Sequence, residues 1–153
     1  MISAPEKVLL FSEVRQDGIS KGTFAEEYPI KILIADDNYI NQKLIERILY
    51  KLGYQIDKVA NGIQVLNSFC NKEYNVILMD IRMPEMDGLE TTQRIRQMMV
   101  EQPYIIAMTA NAMSGDREEC FQKGMDDYIS KPVCINELIS KLKIAAGYLK
   151  KRK

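Results

Sequence analysis

From Lys31 onward the chain alternates between short, uninterrupted apolar runs and stretches whose apolar residues recur every three or four positions. Ile32-Leu33-Ile34-Ala35, Val76-Ile77-Leu78-Met79 and Ile105-Ile106-Ala107-Met108 have strand length and contain no polar residue. Such runs fit parallel strands covered on both faces. Residues 55–59 and Asp127–Ser130 read as weaker strands, expected nearer the sheet edges. Between the runs, Ile40, Leu44, Ile48 and Leu52 repeat at i+4, and Gly53 follows where a helix commonly closes in a left-handed cap. Leu138, Leu142, Ala145 and Leu149 form a second helical stripe. Residues 61–71, 87–99 and 113–123 supply three more helical segments, the last followed by Gly124. Five strands and five helices in strict alternation predict an α/β domain, a doubly wound parallel sheet with right-handed crossovers.

Residues 1–29 lie outside this pattern. Val8-Leu9-Leu10-Phe11 suggests a short strand and residues 17–22 a turn, and the stretch is expected to be a linker or extension. The domain is then expected over 30–149, with a basic tail at 150–153. Lysine plus arginine and aspartate plus glutamate both number 21, a balance that argues against a nucleic-acid footprint. The run Lys150-Lys151-Arg152-Lys153 reads as a solvated helix end. No apolar run approaches the ~20 residues of a membrane span, and no signal-peptide pattern opens the chain, so no membrane contact is expected of this segment. Cys70, Cys120 and Cys134 lie far apart with no metal-ligand spacing, as expected for reduced thiols in a cytoplasmic protein. The chain has no histidine at all. That excludes histidine acid–base chemistry, histidine metal ligands and a Ser–His–Asp triad. Phosphohistidine chemistry would have to come from a partner.

Reactive residues gather where the strands end. The first strand runs into Asp36-Asp37, the third into Asp80, the fourth into Thr109 and the fifth into Lys131-Pro132. In open α/β sheets, ligands bind beyond the carboxyl ends of the strands, so these distant residues are expected to meet in one shallow site. Three neighbouring carboxylates repel one another unless a cation or proton intervenes. Oxygen ligands of this kind suit Mg²⁺, and a carboxylate is also a competent nucleophile that forms an aspartyl phosphate. Taken singly, each residue has a plainer reading. Asp36, Asp37 or Asn38 could cap a helix, Asp80 could be a loop acid, Thr109 a strand-end hydroxyl and Lys131 a surface charge. Their occurrence at four strand ends in this order is what favours a site.

Four segments carry a family resemblance: Ile34-Ala35-Asp36-Asp37-Asn38; Met79-Asp80-Ile81-Arg82-Met83-Pro84-Glu85-Met86-Asp87-Gly88; Met108-Thr109-Ala110-Asn111-Ala112; and Gly124-Met125-Asp126-Asp127-Tyr128-Ile129-Ser130-Lys131-Pro132. Over about residues 31–149 the chain resembles the receiver domains of two-component phosphorelay systems, and its wording is most similar to receivers attached to hybrid sensor histidine kinases. The resemblance implies a flavodoxin-like, CheY-like (βα)5 fold with strand order 2-1-3-4-5. It implies that Asp80 is the phosphoacceptor and that Mg²⁺ is held by Asp37 directly, by Asp36 largely through water, by Asp80 and by the backbone carbonyl of Arg82. Lys131 would contact the phosphoryl group, with a cis bond to Pro132. Thr109 would hydrogen-bond a phosphoryl oxygen and Tyr128 would act as the aromatic switch partner. Partners implied are a sensor histidine kinase or a histidine phosphotransfer protein. The surface of the fourth helix, fifth strand and fifth helix would carry the output, and a homodimer through that surface is a further expectation. No position departs from the family pattern.

Two alternatives stand beside this reading. A phosphatase of the haloacid dehalogenase type also uses an aspartyl nucleophile, but it needs a second acid two positions later, where this chain has Arg82. The other is a pseudo-receiver that is never phosphorylated and acts only as an interaction module. No GxGxxG or GxxxxGK[ST] loop supports a nucleotide-binding reading.

Overall fold

The computed structural model describes residues 23–110 and 114–152. The strand suggested at Val8-Leu9-Leu10-Phe11, the turn at 17–22 and the Asn111-Ala112 part of the Thr109 motif lie outside the described residues. After a helical turn at Phe24–Glu27, the elements run β1 Ile32–Ala35, α1 Tyr39–Lys51, β2 Ile56–Val59, α2 Gly62–Asn71, β3 Val76–Asp80, α3 Gly88–Arg96, β4 Tyr104–Thr109, α4 Ser114–Gln122, β5 Asp127–Ser130 and α5 Ile135–Arg152. The five strands form one sheet in the order β2-β1-β3-β4-β5. Every neighbouring pair is parallel. The two weaker runs are the edges, and β2 is only half-buried along its length.

Alternation of side chains across the strands splits the core in two. Ile32, Ile34, Leu78, Ile106 and Ile129 face one way and pack with Ile45 and Leu49 of α1 and Leu138 and Leu142 of α5. Leu33, Ala35, Ile77, Met79, Ile105 and Ala107 face the other way, against Val65 of α2, Ile95 of α3 and Cys120 of α4. The central strands are therefore apolar at every position because both of their faces are covered.

The helices start where short polar side chains meet free amide groups. Asn38, Asn61 and Asp87 are the N-caps of α1, α2 and α3 and accept from the backbone N–H of Asn41, Gln64 and Glu90 at 3.0, 2.9 and 2.8 Å. Each such cap contributes about 1 kcal/mol. The first helix is thus capped by Asn38 rather than by Asp36, which leaves both preceding aspartates for other work. The i+4 stripe expected on this helix is corrected as well. Ile40 and Leu44 are exposed, and the buried face comprises Gln42, Ile45, Ile48 and Leu49. The third helix ends at Arg96 rather than 99, where the Gln102 amide donates to the carbonyls of Ile95 and Met98. Gly53 and Gly124, after α1 and α4, take φ of +100° and +108°, a region that a side chain would disfavour.

The segment ahead of β1 is packed onto the domain. Phe24 enters the core beside Tyr28 and Tyr54, Ala25 donates to the Leu52 carbonyl at 2.9 Å, and the Tyr54 hydroxyl donates to the Tyr28 carbonyl at 2.6 Å.

Candidate functional site

The carboxyl ends of β1, β3, β4 and β5 bring the chemistry together. β1 delivers Asp36 and Asp37, and its central neighbour β3 ends on Asp80. One carboxylate oxygen from each of these three residues lies within 4.8 Å of the others. Asp36 is fully buried, Asp80 nearly so, and Asp37 faces solvent. Lys131, just beyond β5, closes the group: its Nζ lies 3.0 Å from Asp80 Oδ2 and 3.2 Å from Asp36 Oδ2. The backbone N–H of Lys131 donates to the Thr109 carbonyl at 2.8 Å, which fixes the lysine to the end of β4. The Lys131–Pro132 peptide bond is cis.

The two Asp36 oxygens differ. Oδ1 accepts from the Asn38 N–H at 2.8 Å, whereas Oδ2 is buried without a hydrogen-bond donor. The lysine attracts Oδ2 at 3.2 Å but approaches outside hydrogen-bonding angles, so the contact is an ion pair only. A buried carboxylate oxygen held by an ion pair alone is incompletely satisfied, and it is the kind of ligand that a hard cation completes. The donor set, three carboxylates open to solvent on the Asp37 side, fits Mg²⁺.

Charge at the site is incompletely balanced. Burial pushes the Asp80 carboxyl up to about 6; Lys131 pulls against this shift while the Asp36 charge adds to it. Burial also draws Lys131 down, but its contacts with Asp80 and Asp36 outweigh that and hold it above its ordinary value. The two directions do not mirror each other because one ammonium faces two buried carboxylates. The cation is doubly favoured, and Asp80 has only a share of it.

Thr109 is buried at the end of β4, one position past Met108, the register partner of Asp80. Its hydroxyl donates to Asp116 Oδ2 in α4 over a long 3.4 Å. Tyr128 pairs in register with Ala107 rather than Thr109, and its ring is half-buried. Arg117 of α4 and Lys141 of α5 lie 4.9 and 5.1 Å from the ring centroid, with Phe121 edge-on at 6.3 Å. Arg82 is exposed, and its N–H reaches Asp80 Oδ1 at 3.4 Å.

Sequence reasoning passed over three contributors. A Cβ on Gly88 would collide with the Asp80 carbonyl, so the Asp87-Gly88 pair lets α3 start against the site. Asp116 was not singled out, and its spacing from Thr109 gives no sign of the contact. Gln42 lies on the buried side of α1 and donates to the Asp36 carbonyl at 2.6 Å; the signal was a polar residue in phase with Ile45 and Leu49.

Residues 32–143 match the family described as response regulator receiver domain. The chain belongs to this family. It is similar to hybrid signal transduction histidine kinase H of Dictyostelium discoideum, 45% identical over 123 residues that make up 77% of this chain and 9% of that protein. It is 38% identical to histidine protein kinase 1 of Candida albicans, covering 79% of this chain and 5% of the relative. The chain therefore spans a small fraction of these curated relatives. Among solved structures, it resembles the receiver domain of sensor histidine kinase PA1611 from Pseudomonas aeruginosa, which holds a magnesium ion in its active-site cleft. That match has 44% identity and a TM-score of 0.72, over 77% of this chain and 98% of that one. The fold and the match to hybrid-kinase receivers agree with the sequence reading, and the chain is a receiver domain of a two-component phosphorelay. The phosphatase alternative gains no support. Among the described residues no helix is long and apolar enough to cross a membrane.

Proposed function

We propose that this receiver takes a phosphoryl group from a partner's phosphohistidine onto Asp80, with Mg²⁺ held by Asp36, Asp37, Asp80 and the Arg82 carbonyl. The observation that carries the reading is the buried Asp36 Oδ2, left without a hydrogen-bond donor beside Asp80, Asp37 and Lys131. Mg²⁺, when bound, supplies neutralising charge to the carboxylates and to the phosphoryl oxygens.

The chain's own residues supply the remainder. An Asp80 carboxylate oxygen attacks phosphorus, the P–N bond to the partner's imidazole breaks, and the electron pair returns to the ring nitrogen. Lys131, held cationic by its two carboxylates, contacts the phosphoryl group once Asp80 has become an acyl phosphate and its carboxylate has lost its charge. Thr109 leaves its long contact with Asp116 for a phosphoryl oxygen, drawn by the phosphoryl group's charge of about −1.5 to −2, which takes the place of the single carboxylate charge. Tyr128 then shifts within its setting of Arg117, Lys141 and Phe121, which alters the α4–β5–α5 face read by a partner. A homodimer through that face is part of the same proposal.

The partner belongs to the histidine kinase or histidine phosphotransfer class. One neighbour, a receiver of the Saccharomyces cerevisiae regulator Ssk1, was solved with the phosphotransfer protein Ypd1; it shares 27% identity at a TM-score of 0.70 over 74% of this chain. Beside the site here, Tyr39, Ile40 and Leu44 of α1 are exposed. These side chains offer an apolar docking patch next to Asp37.

Incubation with acetyl phosphate and Mg²⁺, followed by intact mass, tests the proposal. A Mg²⁺-dependent gain of one phosphoryl group is expected in the wild type and not in Asp80→Ala. A folded protein that gains nothing would instead be a pseudo-receiver.

A further inference from the structure

Gln42 stands out among the residues that α1 buries because its neighbours on that face, Ile45, Ile48 and Leu49, are apolar. A buried amide is costly unless it is hydrogen-bonded. Here Nε2 donates to the Asp36 carbonyl at 2.6 Å and to the Val59 carbonyl at 2.9 Å. Both acceptors are carbonyl oxygens, so only the NH₂ side of the amide can face them. The Val59 carbonyl already accepts from the Asp36 N–H at 3.1 Å, so its own demand is met without the glutamine. What Gln42 adds is a tie between α1, the end of β2 and the main chain of Asp36.

That tie is placed where the site needs rigidity. Asp36 has two other carboxylates within 4.8 Å, and the Lys131 ammonium, 3.2 Å from its Oδ2 but off hydrogen-bonding angles, offsets their repulsion only in part because Asp80 shares it. Its N–H is held by Val59, its Oδ1 by the Asn38 N–H, and its carbonyl by Gln42. We infer that Gln42 is a positioning residue for the acidic cluster: by fixing the Asp36 main chain between β1, β2 and α1, it sets the affinity of the cluster for Mg²⁺. The inference rests on the reading that the cluster binds Mg²⁺. Partners that orient metal ligands are commonly worth 10- to 100-fold in affinity, and one acting through the main chain belongs at the lower end, about 10-fold.

The test is Mg²⁺ affinity by titration calorimetry on the full chain, for the wild type, Gln42→Met and Ile45→Val, with folding checked by circular dichroism. Gln42→Met keeps the volume and removes both donors, while Ile45→Val removes only packing on the same helix face. Gln42→Met is expected to raise the Kd about 10-fold, with Ile45→Val leaving it unchanged although both lower the Tm. An unchanged Kd in Gln42→Met, or an equal loss in Ile45→Val, overturns the inference and leaves the Mg²⁺ site standing. A wild type that binds no Mg²⁺ overturns both. Should Gln42→Met not fold, side-chain amide spectra of the wild type decide. The Gln42 signals must move along the Mg²⁺ titration, while those of Gln102, bonded to Ile95 and Met98 near the amino end of the sheet, stay fixed. Stationary Gln42 signals overturn the inference.

Discussion

Lys131 and Asp80, 51 residues apart in sequence, meet at 3.0 Å across the carboxyl edge of the sheet. The same ammonium lies 3.2 Å from Asp36, so it occupies the charge-neutralising position that a metal ion would share. Removing it relieves cation–cation repulsion at the site. Lys131→Gln is therefore expected to bind Mg²⁺ more tightly, about tenfold for ~1.4 kcal/mol of repulsion removed. It should nevertheless accept phosphoryl from acetyl phosphate more slowly. Weaker Mg²⁺ binding in calorimetry would show that the lysine organises the carboxylates instead of competing for them.

Carboxylate repulsion should also limit stability without metal. Asp80→Asn and Asp37→Asn are expected to raise the metal-free Tm, by about 2–4 °C for each kcal/mol of strain relieved. Asp80→Asn should have the larger effect because Asp80 is buried and Asp37 is exposed. Thermal denaturation in EDTA checks this; a fall in both variants would mean that the three charges do not oppose folding.

The pH dependence follows from the Asp80 shift, to about 6 by burial chiefly. Between the ordinary carboxylate pKa of ~3.9 and that value, the folded protein holds a proton that the unfolded chain has released. The contribution of Asp80 to metal-free stability is thus greatest below this window, falls as pH rises through it, and levels off above about 6. Denaturant melts in EDTA should show this slope in the wild type and a flatter one in Asp80→Asn.

Docking and chemistry should separate on α1. Ile40→Asp or Leu44→Asp, at exposed positions, should leave the Tm and acetyl phosphate labelling of Asp80 nearly unchanged. Transfer from a phosphohistidine protein should drop about tenfold or more, the effect of losing one apolar contact of ~1.4 kcal/mol. Equal loss with both donors would place the effect in the site itself.

Tyr128→Ala should keep phosphorylation of Asp80 close to wild type. The amide shift changes on α4 and α5 that accompany phosphorylation should shrink, because the ring contacts Arg117 and Phe121 of α4 and Lys141 of α5. Loss of labelling together with the shifts would assign Tyr128 to the site and not to its readout.

The apolar runs from Ile32, Val76 and Ile105 determined three central strands, because a strand covered on both faces leaves no place for a polar residue. The order of reactive residues along the chain likewise marked Asp36, Asp37, Asp80, Thr109 and Lys131, since parallel strands all end on one edge. Local sequence did not determine which side of α1 is buried. Ile40 and Leu44 keep the helical period but face water, because Ile45, Ile48 and Leu49 are the α1 side chains that join the cluster shared with β1 and α5. Nor did it show that Gln42 bonds to Asp36, that Asp36 Oδ2 lacks a donor, or that Thr109 meets Asp116. Those contacts depend on distances between elements far apart in sequence, and only the packed sheet and helices fix such distances.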